Sequence, residues 1–364
     1  MKFIADRDIL QREILIAHDI ISGSNMISIL SNVLIEASDN TLRIQATDLK
    51  VSFQTQIPID TEIPGSTTVT CDKFLNVLRS FPEGDIDFEL IENRLVISRK
   101  KERINFKLRC IPPQDYPSFT TFDEKTLTIG AQDFSEMIEQ TIISVSDDET
   151  RFYMNGVYME PGQNSLIMVS TDGRKLSYIE RNLSSEVPFF EPVIIPPKFL
   201  NLIKKTSSRE GSVDIAVSDT HIFADFDSHH LSSTLIEGKY PNYKRVIPMN
   251  QSKMCSIASK EFMEALKRVS LLVDQKSRRL LIDIEGDSLI LSSEEQDLGA
   301  AKEQLTCEYN GEPIRMVMNC QYLMNPMRVI NSDRVVLAFQ DAGKAVTLRP
   351  DPEKDFFHVI MPMS

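Results

Sequence analysis

The apolar residues of the chain fall into two rhythms that alternate along its length. Ile9, Ile14, Ile16, Ala17, Ile20 and Ile21 recur at mixed spacings of three and four, which predicts an amphipathic helix over residues 8–21. The same reading predicts helices over 133–145 and 260–273, and a second set over 71–80, 197–206 and 319–330. Pro197 stands where a first-turn proline is favoured, and Asp72 where a carboxylate helps a helix N-terminus. Between the helices, period-two alternation predicts short strands at 41–45, 51–57, 85–90, 94–99, 104–109, 212–217, 221–225 and 232–236.

These elements repeat. The run Thr41-Leu42-Arg43-Ile44-Gln45-Ala46-Thr47-Asp48 returns as Ser165-Leu166-Ile167-Met168-Val169-Ser170-Thr171-Asp172, an offset of 124, and again as Ser288-Leu289-Ile290-Leu291, 123 residues further on. Lys73-Phe74-Leu75-Asn76 is answered by Lys198-Phe199-Leu200-Asn201 and by Gln321-Tyr322-Leu323-Met324. Tyr116-Pro117-Ser118-Phe119 is answered by Tyr240-Pro241-Asn242-Tyr243. A near-constant offset across separate landmarks predicts three copies of one domain, placed at 1–122, 126–249 and 250–364. The predicted class is α+β, each copy with two helices and antiparallel sheets, the helices on one side. Pro (18) outnumbers Gly (13), so long flexible linkers are not expected. Three such units in tandem suggest a curved array, and two arrays joined head-to-tail would close a ring.

Composition narrows the function. With 364 residues, 41% hydrophobic and 26% charged, the chain reads as soluble and multidomain. It has no apolar run of the ~20 residues a membrane span needs. Its opening, Met1-Lys2-Phe3-Ile4-Ala5-Asp6, turns acidic without a signal-peptide core, so a cytoplasmic location is expected. Cys71, Cys110, Cys255, Cys307 and Cys320 are scattered and form no CxxC pair, which predicts reduced thiols and neither disulfides nor zinc. No P-loop, GxSxG or HExxH occurs. His18, His221, His229, His230 and His358 stand apart from carboxylates and cysteines at ligand spacing; His229-His230 reads as a solvated loop, Asp147-Asp148-Glu149 as a surface turn. No catalytic residue, metal or cofactor is expected. The net charge of −13 argues against a protein that holds nucleic acid by phosphate contacts.

Particular stretches then carry a resemblance. Arg151-Phe152-Tyr153-Met154-Asn155-Gly156, Ser170-Thr171-Asp172-Gly173-Arg174-Lys175-Leu176, Gly238-Lys239-Tyr240-Pro241-Asn242-Tyr243-Lys244-Arg245-Val246-Ile247-Pro248 and the terminal Val359-Ile360-Met361-Pro362-Met363 resemble the bacterial sliding clamp, the beta subunit of the replicative DNA polymerase. The likeness runs in order through all three repeats. It implies a homodimeric ring of six domains around duplex DNA, held topologically and without sequence preference, with helices lining the hole. It implies as partners the replicative polymerase, a clamp loader and other proteins that insert a short peptide between the second and third domains.

The resemblance places that cleft at Met154, Thr171, Gly173, Arg174, Leu176, Pro241, Arg245, Val246, Val359, Ile360, Met361, Pro362 and Met363. Physically the set is sensible: apolar walls with adaptable methionines, a turn-forming glycine, stiffening prolines and two arginines for a partner's backbone or carboxylate. Taken singly, each piece is an ordinary turn, loop junction or core strand; their joint order decides. The chain ends at Ser364 where relatives continue, and Ser277 and Gly343 replace an aromatic and a branched residue, so fine specificity is open. A ring also answers the charge objection, since only local cations need face the hole. Candidates are Arg7, Arg12, Lys73, Arg79, Arg151, Lys198, Lys204, Lys205, Lys260, Lys267, Arg268 and Arg328, each of which also reads as a solvated helix face. Ser22-Gly23-Ser24 stands where a relative can place a DNA-contacting arginine. Leu271 and Leu272, with Lys73, Leu78 and Phe106 as counterparts, are the candidate subunit interface. A dispersed multidomain hydrolase and a repeat-built scaffold are the rival readings.

Overall fold

The computed structural model describes every residue except 22–27, 100, 123, 184–185, 209, 295–298 and 364. One order of elements recurs three times. The first repeat runs β1 (Lys2–Asp6), α1 (Arg7–Ile21), β2 (Asn32–Ser38), β3 (Thr41–Thr47), β4 (Val51–Pro58), β5 (Asp60–Ile63), β6 (Gly65–Thr70), α2 (Cys71–Ser80), β7 (Asp85–Ile91), β8 (Arg94–Arg99) and β9 (Ile104–Ile111). The second runs β10 (Leu127–Gly130), α3 (Ala131–Ile142), β11 (Val157–Pro161), β12 (Ser165–Thr171), β13 (Lys175–Asn182), β14 (Val193–Ile195), α4 (Pro197–Thr206), β15 (Ser212–Val217), β16 (His221–Phe226) and β17 (His229–Thr234). The third runs β18 (Lys253–Ala258), α5 (Ser259–Ser270), β19 (Arg279–Glu285), β20 (Ser288–Ser293), β21 (Lys302–Tyr309), β22 (Ile314–Asn319), α6 (Cys320–Met327), β23 (Arg334–Phe339), β24 (Val346–Asp351) and β25 (Phe356–Ile360). Strand β5 is an addition to the first repeat; otherwise the order is strand, helix, four strands, helix, three strands.

The chain forms two compact units, Met1–Phe134 with Lys198–Leu235, and Ser135–Pro197 with Ile236–Ser364. Each carries one long antiparallel sheet. In the first unit the strand order is β10-β15-β16-β17-β4-β3-β2-β6-β9-β8-β7-β1-β5. In the second it is β14-β11-β12-β13-β25-β24-β23-β18-β21-β20-β19-β22. Each sheet therefore crosses a boundary between repeats, and it does so in the same way. In the first unit β4 pairs with β17, from Thr55 opposite His229 to Val51 opposite Ser233. In the second β13 pairs with β25, from Lys175 opposite Ile360 to Ile179 opposite Phe356. The repeats join edge to edge by backbone hydrogen bonds.

Local chemistry explains several element ends. The Asp6 carboxylate accepts from the Asp8 and Ile9 amides and caps α1. Asn319 does the same for α6, accepting from the Gln321 and Tyr322 amides. Helices bury one stripe each: Phe74, Leu75 and Leu78 on α2, and Phe262, Ala265, Leu266 and Val269 on α5. Helix α6 ends at Met327, short of the predicted 330, because Pro326 lies in its last turn. Helices α3 and α5 also stop about one turn before their predicted ends.

Two expectations are corrected. The predicted strand 232–236 lies instead at His229–Thr234, joined to β16 by a tight turn at Asp227, whose φ of 51° is the left-handed conformation Asp tolerates. His229 is therefore not a solvated loop residue. It is buried between Phe53 and Phe226 and its Nε2 meets Glu13 at 2.9 Å. His230 pairs with Asp225 at 2.9 Å, which raises its pKa. Among the described residues no helix is long and apolar enough to cross a membrane, and all five cysteines are buried and unbridged.

Candidate peptide-binding cleft

The second unit builds a groove from its β13–β25 junction and the chain that follows it. Strand β12 is buried on both faces. Ile167 and Val169 turn toward a cluster with Leu176, Ile194, Tyr240, Tyr243 and Val359. On that cluster lies a ladder of rings: Tyr158 stacks on Tyr240 at 4.7 Å, Tyr178 on Phe357 at 4.9 Å, and Tyr243 stands 6.1 Å from both Tyr158 and Tyr178. Burial pushes these phenols up, Tyr158 to about 12, so they stay protonated and act as donors, Tyr240 to the Val169 carbonyl. Tyr243 donates to Glu160 at 2.5 Å, and Tyr178 to Glu180 at 2.7 Å. The ladder fixes the segment carrying Pro241, Arg245 and Val246; Val246, 53% exposed, is its outward apolar knob.

Turn Thr171–Arg174 shapes the other rim. The Thr171 hydroxyl donates to the Lys175 carbonyl and accepts from the Gly173 amide. Gly173 has φ 86°, and a Cβ there would lie 3.1 Å from an Arg151 guanidinium nitrogen. The tail then crosses the groove: the Met361 amide donates to the Arg174 carbonyl and the Met363 amide to the Val317 carbonyl, each at 2.8 Å. Between these walls is a cavity of about 300 Å³ lined by Arg174, Asn319, Tyr322, Met361, Pro362 and Met363. Lys175 lies 5.6 Å over the Tyr322 ring and donates to the Ile143 carbonyl, holding that ring in place. Partial burial lowers the pKa of Lys175. The cavity offers thioethers, an aromatic face, an amide and a guanidinium, the inventory of a peptide site rather than of a catalytic centre.

Beneath it runs a buried polar chain. Gln140 donates to the Val329 carbonyl at 2.8 Å, so its carbonyl oxygen faces His358 Nε2 at 3.0 Å and must accept from it. His358 Nδ1 then accepts from Ser177 at 2.8 Å, and Ser177 in turn meets Ser144 at 2.7 Å. Burial pushes His358 down to about 3, so it is neutral, with the nearby Lys175 charge adding to the shift. Its strand neighbour is Val359, and its partner Ser177 adjoins Leu176, two of the expected cleft residues.

Models of the DNA polymerase III beta subunit match three successive segments of the chain: the N-terminal domain at residues 1–120, the central domain at 128–242 and the C-terminal domain at 244–364. The chain belongs to the bacterial sliding-clamp family. It is 41% identical to the beta sliding clamp of Treponema pallidum, covering 100% of this chain and 99% of that one. The beta sliding clamp of Vibrio cholerae is 26% identical with both chains fully covered. Among solved structures, the sliding clamp of Pseudomonas aeruginosa bound to griselimycin superposes with a TM-score of 0.94 at 25% identity, over 100% and 99% of the two chains. The beta subunit from Borrelia burgdorferi in complex with a natural product gives 0.93 at 27%, over the same shares.

Within this clamp fold, Arg174, Met361, Pro362 and Met363 line the cavity, while Leu176 and Val359 belong to the cluster beneath. Ile360, opposite Lys175, and Met154 are buried. Sequence reasoning missed Asn319, Tyr322 and Lys175. The repeat held no apolar signal for Tyr322: register and burial place Leu323 at the position of Phe74 and Phe199, and Tyr322 stands where those repeats carry Lys73 and Lys198.

The candidate DNA-facing cations divide. Arg151 is displaced from that set: it stands at the Gly173 turn and pairs with Asp148 at 2.8 Å. Asp148 caps a short 3-10 helix, as expected of a surface turn. Lys198 is committed to Asp48 and to the Ile20 carbonyl, each at 2.6 Å. Arg7 bonds Gln11 and Asp8, Lys205 pairs with Asp19, Lys267 with Glu264, and Arg268 takes Glu303 through two hydrogen bonds. Lys73 is exposed beside Asp72, and Lys204 is half-buried. Arg12, Arg79, Lys260 and Arg328 are exposed without an ion-pair partner among the described residues. Ser22-Gly23-Ser24 lies outside the described residues, as does Ser364. Of the candidate interface, Leu271 is 81% exposed, Leu272 is partly so, and Phe106 is exposed on β9. Leu78 is fully buried in the α2 stripe and has no surface to offer a second chain.

Proposed function

We propose that the chain is a DNA sliding clamp whose ring closes by one more copy of the strand pairing seen twice within it. The chain is a non-enzymatic processivity factor: two copies encircle duplex DNA and tether the replicative polymerase and other DNA-processing proteins. The carrying observation is the edge-to-edge rule. The β4–β17 and β13–β25 junctions each join the fourth strand of one repeat to the last strand of the next. Continuing the series leaves β21 of the third repeat and β9 of the first. Both have a free edge: β9 pairs with β8 along Ile104–Arg109, and β21 with β20 along Lys302–Thr306, and among the described residues each leaves its other side open there. Repeat equivalence would set Phe106 of one copy opposite Ala301 of the other, as Leu231 stands opposite Phe53. Two such joints between two chains pair these open stretches of β9 and β21 and close six domains head-to-tail.

In this reading the domains are 1–122, 126–249 and 250–364, the protein works in the cytoplasm, and Arg12, Lys73, Arg79, Lys260 and Arg328 face DNA. The cleft around Arg174, Tyr322, Met361 and Met363 receives a short apolar peptide from the polymerase, the clamp loader or other partners. The test is retention on nicked circular DNA, loaded by the clamp loader, before and after linearisation. A topological clamp stays on circles at moderate salt and is lost from free ends. Equal retention on both overturns the reading.

A further inference from the structure

The first unit contains a second cavity, of about 200 Å³, lined by Gln54, Phe119–Phe122, Phe223, Asp225, His230 and Leu231. It lies on the β4–β17 junction, the repeat equivalent of the β13–β25 junction that carries the peptide cleft. At the second junction the strands bring Tyr178 and Phe357 together in a stack at 4.9 Å, closed over by Tyr243. The equivalent residues at the first junction are Gln54, His230 and Phe119. The strand positions are polar there, so the space is left open while Phe119, Phe122 and Phe223 line it. Phe122 and Phe223 face one another at 5.2 Å.

The polar groups are half used. Gln54 accepts from Gln45 through its carbonyl oxygen at 2.6 Å, and its amide NH₂ has no partner among the described residues. Asp225 binds His230 through Oδ1, and its Oδ2 has no partner among the described residues. A cavity of about 150 Å³ suffices to hold a benzene ring in a protein interior, so this one admits an aromatic or branched side chain.

We propose that this cavity is a second peptide-docking site, taking one aromatic or branched apolar side chain of a partner protein between the three phenylalanines. The Gln54 amide donates to the peptide's backbone carbonyl. A Lys or Arg next to the anchor in the partner sequence meets the Asp225 carboxylate. A single anchor on a preformed but small pocket gives weak, millimolar binding, useful as an auxiliary hold for a partner already tethered elsewhere.

The test titrates the full-length protein with N-acetyl-Phe-Lys-amide while following the methyl NMR signals of Leu231, Thr120 and Thr121, with Leu176 and Met361 as reporters of the other cleft. Saturable shifts at the first set are expected, about threefold weaker with N-acetyl-Phe-Glu-amide in place of the lysine peptide. The double substitution Gln54→Tyr with His230→Phe copies the second junction and fills the space. It is expected to abolish the first set of shifts and leave the Leu176 and Met361 signals as they were. No saturable shift at Leu231, Thr120 and Thr121, equal binding of the acidic peptide, or unchanged shifts in the filled variant would overturn the proposal.

Discussion

Lowering the pH should unfasten strand β25 before it disturbs the rest of the molecule, and His358 should be the reason. The side chain is fully enclosed, neutral, and bonded at both nitrogens. In an opened strand the imidazole takes up a proton near its ordinary 6.5, whereas in the closed strand it resists until about 3. Between those values the open state binds more protons, so closure is fully stable above pH 6.5 and weakens as pH falls toward 3. At pH 5 the gap from the ordinary pKa is about 1.5 units, and each unit is worth about 1.4 kcal/mol, so the loss is about 2 kcal/mol. The assay is amide hydrogen exchange across Phe356–Ile360 at pH 7 and pH 5, corrected for intrinsic exchange, which reads local opening without assuming that a multidomain ring unfolds in one step. His358→Gln keeps polar atoms in the chain and removes the titration. It should cost stability at pH 7 yet lose about 2 kcal/mol less than the parent on acidification. Equal pH dependence in the two proteins refutes the account of His358, whatever the carboxylates contribute to both.

Four further outcomes follow from the geometry. Phe106→Asp with Leu271→Asp should convert the dimer to monomer by sedimentation and abolish retention on circular DNA, because charge is set on the open β9 edge and on the exposed leucine at the end of α5, the two sides of the proposed joint. Tyr322→Ala should weaken binding of a fluorescent polymerase-derived peptide about tenfold or more, with dimerisation unchanged, since the ring is a wall of the cavity and not of the core. Glu13→Ala should destabilise the first unit by about 3–5 kcal/mol in exchange protection on β4 and β17, because His229 Nδ1 already lacks a partner and Nε2 would lose its own. Retention on nicked circles should survive a rise in salt that strips a conventional phosphate-binding protein from DNA; loss in parallel with such a protein would contradict topological holding.

Much of the fold was legible because it is written three times. A lone strand of alternating residues is weak information, but Leu42, Leu166 and Leu289 at near-equal offsets fix both an element and its place in a repeat. Local chemistry set the errors. Pro326 truncated α6, and a positive φ at Asp227 moved a turn and pulled His229 and His230 into a strand. The cleft was legible as far as contiguous motifs reach, namely the Thr171–Leu176 turn and the Val359–Met363 tail. Tyr322 and Asn319 come from a helix start about 150 residues away from that turn, where no local pattern marks them. Leu78 misled because periodicity names an apolar helix face without saying whether a neighbour already covers it.

The charge pattern distinguishes holding DNA from surrounding it. A net charge of −13 would be self-defeating in a protein whose affinity came from phosphate contacts. Here the cations of the helices are largely spoken for: Lys198 by Asp48, Lys205 by Asp19, Arg268 by Glu303, Lys267 by Glu264. Each such pair takes a donor away from a would-be phosphate and gives it a fixed structural task, as when Lys198 also bonds the C-terminal Ile20 carbonyl of α1. In the proposed ring the few left exposed and unpaired would supply a weak, short-range attraction, screened over ~8 Å in physiological salt. That is enough to attract a duplex into a hole and too little to stop it moving. A chain that wins its grip from closed backbone ladders can be acidic without penalty, and its residual cations then tune sliding rather than binding.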